Sequence, residues 1–411
     1  MQICILGSGI LGVTTAYFLE QRGHRVTIID RQPHSAMETS FANGGQLSYS
    51  HAEPWATPSV LPKVLKWLFQ ENAPLAFKAR FDPEMIAWGI KFLGQCTHEK
   101  ALRNATRTLR LALYSKLALH EILAETPVEF DLLKKGVLHI FTQQSLLDGA
   151  LRQAAFQETL GCGFENLTPA QCLEKEPALA RIEKQLLGGV FHDIDESGDI
   201  FKFTQGLAAK LQRTEFHYLT EIRSLRRDGA KIVAVETSKG RIEADAFVVA
   251  MGSYSPKILK PLGIKSDIYP MKGYSLSVPI NGKTAPHVSI TDQGSKIVYS
   301  RLGNILRAAG TAEFAGHDHE ITPKRIAHLK AEMQRLFGDC GDFSASTGWA
   351  CLRPQTPAGT PLLGKTPYTN LYLNTGHGTL GWTLGPGSAK IVADTIEGKP
   401  PEIDLEGLRY E

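Results

Sequence analysis

At 411 residues the chain is longer than a single hydrophobic core usually supports, so two domains are expected. Hydrophobic residues make up 43% and charged residues 21%, the balance of an ordinary soluble globular protein. The formal net charge of +3, from 45 basic and 42 acidic residues with no clustered basic patch, argues against a nucleic-acid partner.

In chain order, residues 2–6 are a short apolar run that reads as a strand, with no charged leader, so no signal peptide is expected. Gly7, Gly9 and Gly12 follow, then an apolar helical stretch through Leu19, then a second β-branched run at 25–30. This β–α–β order builds a parallel sheet. A long helix is expected over 101–125, a strand over 136–142, and helices over 146–159 and 203–213. Strand-like runs lie at 216–220, 231–237 and 246–250, and residues 268–312 are strand-rich. Helices at 323–337 and 387–397 and a strand at 371–374 complete the reading. No window of 18 apolar residues occurs, so no membrane span is expected. Cys4, Cys96, Cys162, Cys172, Cys340 and Cys351 form no C-x-x-C pair, and free thiols in a reducing compartment are expected.

Gly7, Gly9 and Gly12 spell G-x-G-x-x-G between strand and helix. The first glycine permits a tight turn, the second lets the backbone approach a pyrophosphate, and the third lets helix and strand pack closely. Ser8, Ile10 and Leu11 complete the turn, whose free N–H groups and helix dipole favour phosphate. Asp30 ends the second strand, eighteen residues after Gly12, placed for ribose hydroxyls; its charge disfavours a 2′-phosphate despite Arg31. The fingerprint alone does not separate FAD from NAD.

Three further segments favour flavin. Thr39, Ser40, Asn43, Gly44, Gly45, Gln46 and Leu47 form a small, polar stretch that lets backbone approach a flat ring. Residues 246–255 read as a buried strand ending in Ala250, Met251 and Gly252, with Tyr254 beyond it. Gly376, His377, Gly378, Thr379, Leu380, Gly381, Trp382 and Thr383 precede a helix whose N-terminus would favour the charge of a reduced flavin.

These segments, with Tyr269-Pro-Met-Lys-Gly-Tyr-Ser-Leu, Leu352-Arg-Pro and Asn374-Thr-Gly-His-Gly-Thr-Leu-Gly-Trp-Thr, resemble the small subunit of bacterial D-amino acid dehydrogenase. That group lies within the wider D-amino acid oxidase, glycine oxidase and sarcosine oxidase superfamily. The resemblance spans nearly the whole chain. It implies an α/β fold: a Rossmann-like FAD-binding domain interleaved with a mixed α+β substrate domain. The expected division is 1–55, 195–265 and 345–411 for FAD, and 56–194 with 266–344 for substrate. The implied activity is oxidative deamination of D-amino acids to 2-oxo acids and ammonia. Electrons would pass to a quinone or respiratory acceptor, and Ile222 joins the implied cofactor contacts. Alternatives are an oxygen-using oxidase, a D-proline or hydroxyproline dehydrogenase, and a flavin-binding redox subunit with little turnover.

The Leu-Arg-Pro position makes Arg353 the expected carboxylate anchor, a role suited to a bidentate guanidinium. Arg301 is a second candidate. Tyr274 could point its hydroxyl into the pocket or belong to the core. Tyr49, His51 and Gln46 could line the pocket, and His377 could bond the flavin. None of these is assigned as a general base. Where the family has Gly-Leu-Arg-Pro-Met-Thr-Pro-Asp-Gly, this chain has Cys351, Gln355 and Ala358, which puts side-chain preference in question. His317-Asp318-His319 lacks further ligands at metal spacing and reads as a solvated loop, so no metal is expected.

Residues 58–70 read as an amphipathic helix with Leu61, Val64, Leu65 and Leu68 on one face, flanked by Trp67 and Phe69. It could lie on a bilayer, dock on the core or cover the active site. The expected location is cytoplasmic, with peripheral contact to the inner face of the plasma membrane as the membrane variant.

Overall fold

The computed structural model describes residues 1–60, 75–77, 81–280 and 284–410. Most of the expected 58–70 helix lies outside them. Among the described residues, strands assemble into a six-stranded and a nine-stranded sheet, with smaller sheets beside them.

The six-stranded sheet runs Leu362–Lys365, Leu371–Thr375, Ala246–Val249, Gln2–Leu6, Arg25–Ile29, Thr214–His217. Its pairings are parallel except the first. Alternation sends Ile3 and Ile5 to one face and Cys4 and Leu6 to the other, and both faces are buried, as a parallel sheet requires. Ile3 and Ile5 share one buried cluster with residues of helices Ile10–Gln21, His98–Glu125 and Gly381–Glu397. Cys4 and Leu6 meet Leu225, Ile232 and Val235 of the small sheet over residues 222–242.

The nine-stranded sheet is built on Tyr269–Pro279, flanked by Thr347–Gln355 and Ile305–Phe314. Tyr274, Leu276, Leu306, Ala308 and Ala350 turn one face of it into a core against Leu329, Met333, Leu336 and Phe337 of helix Pro323–Phe337. The opposite parity, Gly273, Ala309 and Arg353, faces a cavity.

The expected helix at 323–337 and strand at 231–237 match the observed bounds. Two expectations are corrected. Thr347–Gln355 belongs to the nine-stranded sheet, so the boundary drawn at 345 cuts off a strand that hydrogen-bonds to residues 269–277. The last helix starts at Gly381 rather than 387, despite Gly385, Pro386 and Gly387, because its sides pack on Ile10–Gln21 and His98–Glu125. No helix among the described residues is long and apolar enough to cross a membrane.

Candidate active site

One cavity of about 860 Å³ is lined by the C-terminal ends of the parallel strands, the open face of the nine-stranded sheet and the start of the last helix. At its nucleotide end the first strand turns at Gly7, whose φ of +107° suits glycine. A Cβ on Gly12 would stand 1.9 Å from the Gly7 carbonyl oxygen, so the third glycine lets helix press on turn. Gly9 differs: a Cβ there would meet only Ser40 Oγ at 3.4 Å, an ordinary contact, and Gly9 borders the cavity. The helix after it has no acidic side chain in its first turn, and Ser40 Oγ accepts from Ile10 N at 3.1 Å. Its remaining N–H groups are available to an anion.

Asp30 lies at the end of the second strand and borders the cavity. One oxygen accepts from Ser8 N and Ser8 Oγ at 2.7 and 2.8 Å, and the other from Gln32 N at 2.9 Å. Burial pushes this carboxyl above its ordinary range, and the Gln32 and Ser8 donors oppose that. Arg31 pairs with Glu38 at 2.6 Å and stacks 4.0 Å over the Tyr254 ring. Ile10, Leu11, Thr39, Asn43, Gly44, Gly45, Gln46, Ile222, Ala250, Met251 and Gly252 also border the cavity. Ser8, Gly12, Leu47 and Gly376 do not; they shape the turns that carry the others.

The C-terminal segment closes the cavity from the other side. Gly376 and Gly378 adopt φ of +79° and +55°, which turn the chain into helix Gly381–Glu397. His377 through Thr383 border the cavity. His377 Nε2 bonds Ser388 Oγ at 2.8 Å, while Nδ1 is buried without a partner among the described residues. Burial pushes His377 down to about 3, so it is neutral near pH 7. An orphaned ring nitrogen, two helix N-termini and a fingerprint turn around one cavity fit a dinucleotide carrying a polar ring system. Gly7, Gly9, Asp30, Ser40, the 43–46 stretch and 377–383 would hold it.

The open face of the nine-stranded sheet forms another wall of the cavity. Arg353 pairs with Met271 in register, which puts its side chain on the same face as Gly273. Its Nη1 donates to Thr311 O at 3.0 Å, and among the described residues no carboxylate pairs with it. Burial pushes the guanidinium down to about 10, and its residual exposure is to the cavity it lines. A desolvated cation of this kind favours an anionic ligand. Cys351 is one step along the same face, its Sγ 3.2 Å from Thr39 Oγ1, whereas Gln355 and Ala358 do not border the cavity.

Gln46 and His51 both border the cavity. Gln46 Nε2 donates to Ser289 Oγ, Ile290 O and Thr291 Oγ1, so the flavin-loop stretch is tied to the second sheet. His51 stacks on buried His139 at 6.0 Å and is pushed down to about 4, chiefly by burial. Three expectations are corrected. Tyr274 has the opposite parity to Arg353 and borders the cavity, but its hydroxyl is taken up by Glu313 at 2.5 Å and Thr322 at 3.0 Å. Tyr49 is fully buried in the core with its hydroxyl on Glu196. Arg301 lies outside the cavity and meets His287 at 3.2 Å. Of the 317–319 triplet, His317 bonds Ser253 O, Asp318 pairs with Lys272 and His319 bonds the Tyr254 hydroxyl.

Sequence reasoning missed Gly273 and Thr311. A Cβ on Gly273 would fall 2.4 Å from Arg353 Cζ, and the only written sign of this is a glycine inside a strand pattern.

A family model described as FAD dependent oxidoreductase (DAO) matches residues 2–395. The chain belongs to the DAO family of FAD dependent oxidoreductases. The family's cofactor is FAD, a dinucleotide that this cavity fits. Among curated relatives, a D-amino acid dehydrogenase from Paramagnetospirillum magneticum (strain ATCC 700264 / AMB-1) is 48% identical, covering 99% of this chain and 98% of the relative. One from Dechloromonas aromatica (strain RCB) is 45% identical with 100% of both chains covered. Solved structures of similar fold include glycine oxidase from Geobacillus kaustophilus, with a TM-score of 0.76 at 22% identity over 100% of this chain and 98% of that one. L-proline dehydrogenase from P. horikoshii gives a TM-score of 0.75 at 17% identity over 100% and 96%. These two likenesses concern the fold alone.

Proposed function

We propose that this DAO-family enzyme is a D-amino acid dehydrogenase that converts D-amino acids to 2-oxo acids and ammonia and passes the electrons to a quinone or another respiratory acceptor. The observation that carries the reading is Arg353: a desolvated guanidinium, unpaired with any described carboxylate, on the wall of the cavity that holds the nucleotide fingerprint. The D configuration is supported by the names of relatives up to 48% identical. Bound FAD supplies the two-electron acceptor for the hydride that leaves the substrate Cα.

The protein's part is orientation. Arg353 grips the α-carboxylate, and Gly273, lacking a Cβ, leaves space for the guanidinium. The Thr311 carbonyl fixes one of its nitrogens, so the fork presents its other donors in a set direction. His377 and His51 stay neutral at pH 7 and add no competing positive charge near the carboxylate. The amine loses its proton before the hydride leaves, and water then hydrolyses the imine. We assign the two-domain division by sheet, with Thr347–Gln355 on the substrate side.

We also propose peripheral membrane contact. Ile86, Ile90 and Leu93 form an exposed apolar strip along helix Pro83–Leu93, and Phe81 just before the helix is 87% exposed, which supports a surface lying at a lipid interface.

The test is anaerobic bleaching of the flavin with paired D- and L-amino acids, followed by reoxidation. Bleaching by the D series, with reoxidation slow in air and fast with a soluble quinone, is expected. Bleaching by L-amino acids only, or rapid peroxide formation in air, contradicts the reading.

A further inference from the structure

Strand Ile305–Phe314 does not run evenly beside Tyr269–Pro279. Lys272 pairs with Glu313 and Tyr274 with Gly310, so Thr311 and Ala312 both stand opposite Gly273. The extra residue is a β-bulge beside the carboxylate anchor. Thr311 takes up the turn at φ +56°, a left-handed conformation that a β-branched residue seldom adopts. Two consequences reach the site. The carbonyl oxygen of Thr311 accepts from Arg353 Nη1 at 3.0 Å. Thr311 borders the cavity and is only 5% exposed, and its buried hydroxyl has no hydrogen-bond partner among the described residues.

A glycine would occupy this turn without strain, so the strained threonine needs a reason. A buried hydroxyl without an acceptor needs one as well, and a ligand supplies it. We propose that Thr311 is a second substrate-anchoring residue, whose Oγ1 donates to the same α-carboxylate that Arg353 holds. The bulge sets both groups together: the carbonyl steers the guanidinium while the hydroxyl faces the ligand beside it. The carboxylate is favoured over the amine as its partner because the atom next to the guanidinium must be an anionic oxygen. This inference rests on the amino-acid reading of the site.

The test compares wild type with Thr311→Val, Thr311→Gly and Thr311→Ser. Propionate binding is followed by calorimetry and D-alanine turnover by steady-state kinetics, with FAD content measured in each protein. Thr311→Val and Thr311→Gly are expected to weaken propionate binding and raise KM about tenfold, the loss of one hydrogen bond to a charged group. The effect on kcat should be smaller, and Thr311→Ser should recover most of the loss. Thr311→Gly keeps the carbonyl and relieves the turn. If it binds propionate and D-alanine as wild type does, the hydroxyl has no role and the proposal is overturned. If wild type itself neither binds propionate nor oxidises any D-amino acid, the amino-acid reading fails, and this proposal falls with it.

Discussion

The Arg353 guanidinium lies against the backbone of Gly273, so closely that a Cβ on Gly273 would come within 2.4 Å of Cζ and of one terminal nitrogen. A side chain at Gly273 would thus displace the guanidinium. Gly273→Ala should leave FAD bound and raise KM for D-amino acids tenfold or more, a misplacement cost of about 1.4 kcal/mol upward. A variant with wild-type KM would show that the guanidinium can move without loss.

Gly9 and Gly12 belong to one motif yet should fail differently. Gly9 has room for a Cβ in the protein alone, so Gly9→Val should fold, keep its far-ultraviolet dichroism and purify colourless. Gly12→Ala puts a Cβ 1.9 Å from the Gly7 carbonyl oxygen and should lower thermal stability with or without cofactor. Normal FAD content in Gly9→Val would remove this end of the cavity as the pyrophosphate site.

Tyr274 turns its hydroxyl to Glu313 and Thr322. Tyr274→Phe should therefore cost about 1–2 kcal/mol of stability in urea unfolding and change kcat/KM less than threefold. A large loss of kcat/KM with unchanged stability would return this hydroxyl to the substrate.

Stability should also fall on mild acidification. His377 is pushed by burial from 6.5 to about 3, and His139 well below 6.5. Both pKa values are depressed in the fold, so the unfolded chain binds more protons than the native one below pH 6.5. The stability these groups contribute is full above pH 6.5 and drains away as the pH falls, for His377 toward about 3. Each adds a slope of about 1.4 kcal/mol per pH unit once the unfolded histidine is protonated. Urea midpoints of the apoprotein between pH 7 and 5 should show it, and His377→Gln should flatten the slope relative to wild type. Equal slopes would mean that His377 titrates alike in both states.

The cofactor end was legible in the sequence because its parts are contiguous: Gly7, Gly9, Gly12 and Asp30 lie within one β–α–β unit. Arg353 was legible through the segment around it. The rest of the substrate wall depends on pairings between distant segments, such as Met271 with Arg353, and on strand parity, where a single step separates Gly273 from Tyr274. The bulge at Thr311 leaves no mark in the sequence, since it arises from an uneven register with a partner strand. The true start of the last helix was hidden because Gly381, Gly385, Pro386 and Gly387 have poor helix propensity, which packing overrides.

The proposed hold of Arg353 on the substrate carboxylate is tested most directly by anaerobic flavin reduction in Arg353→Lys and Arg353→Ala. Arg353→Lys keeps the charge and loses the fork, so FAD content should stay normal while kcat/KM for D-alanine falls roughly ten- to a hundredfold. Arg353→Ala should fall further, and amines without a carboxylate should respond little to either change. Reduction of Arg353→Ala by D-alanine at wild-type rate and affinity would contradict the account.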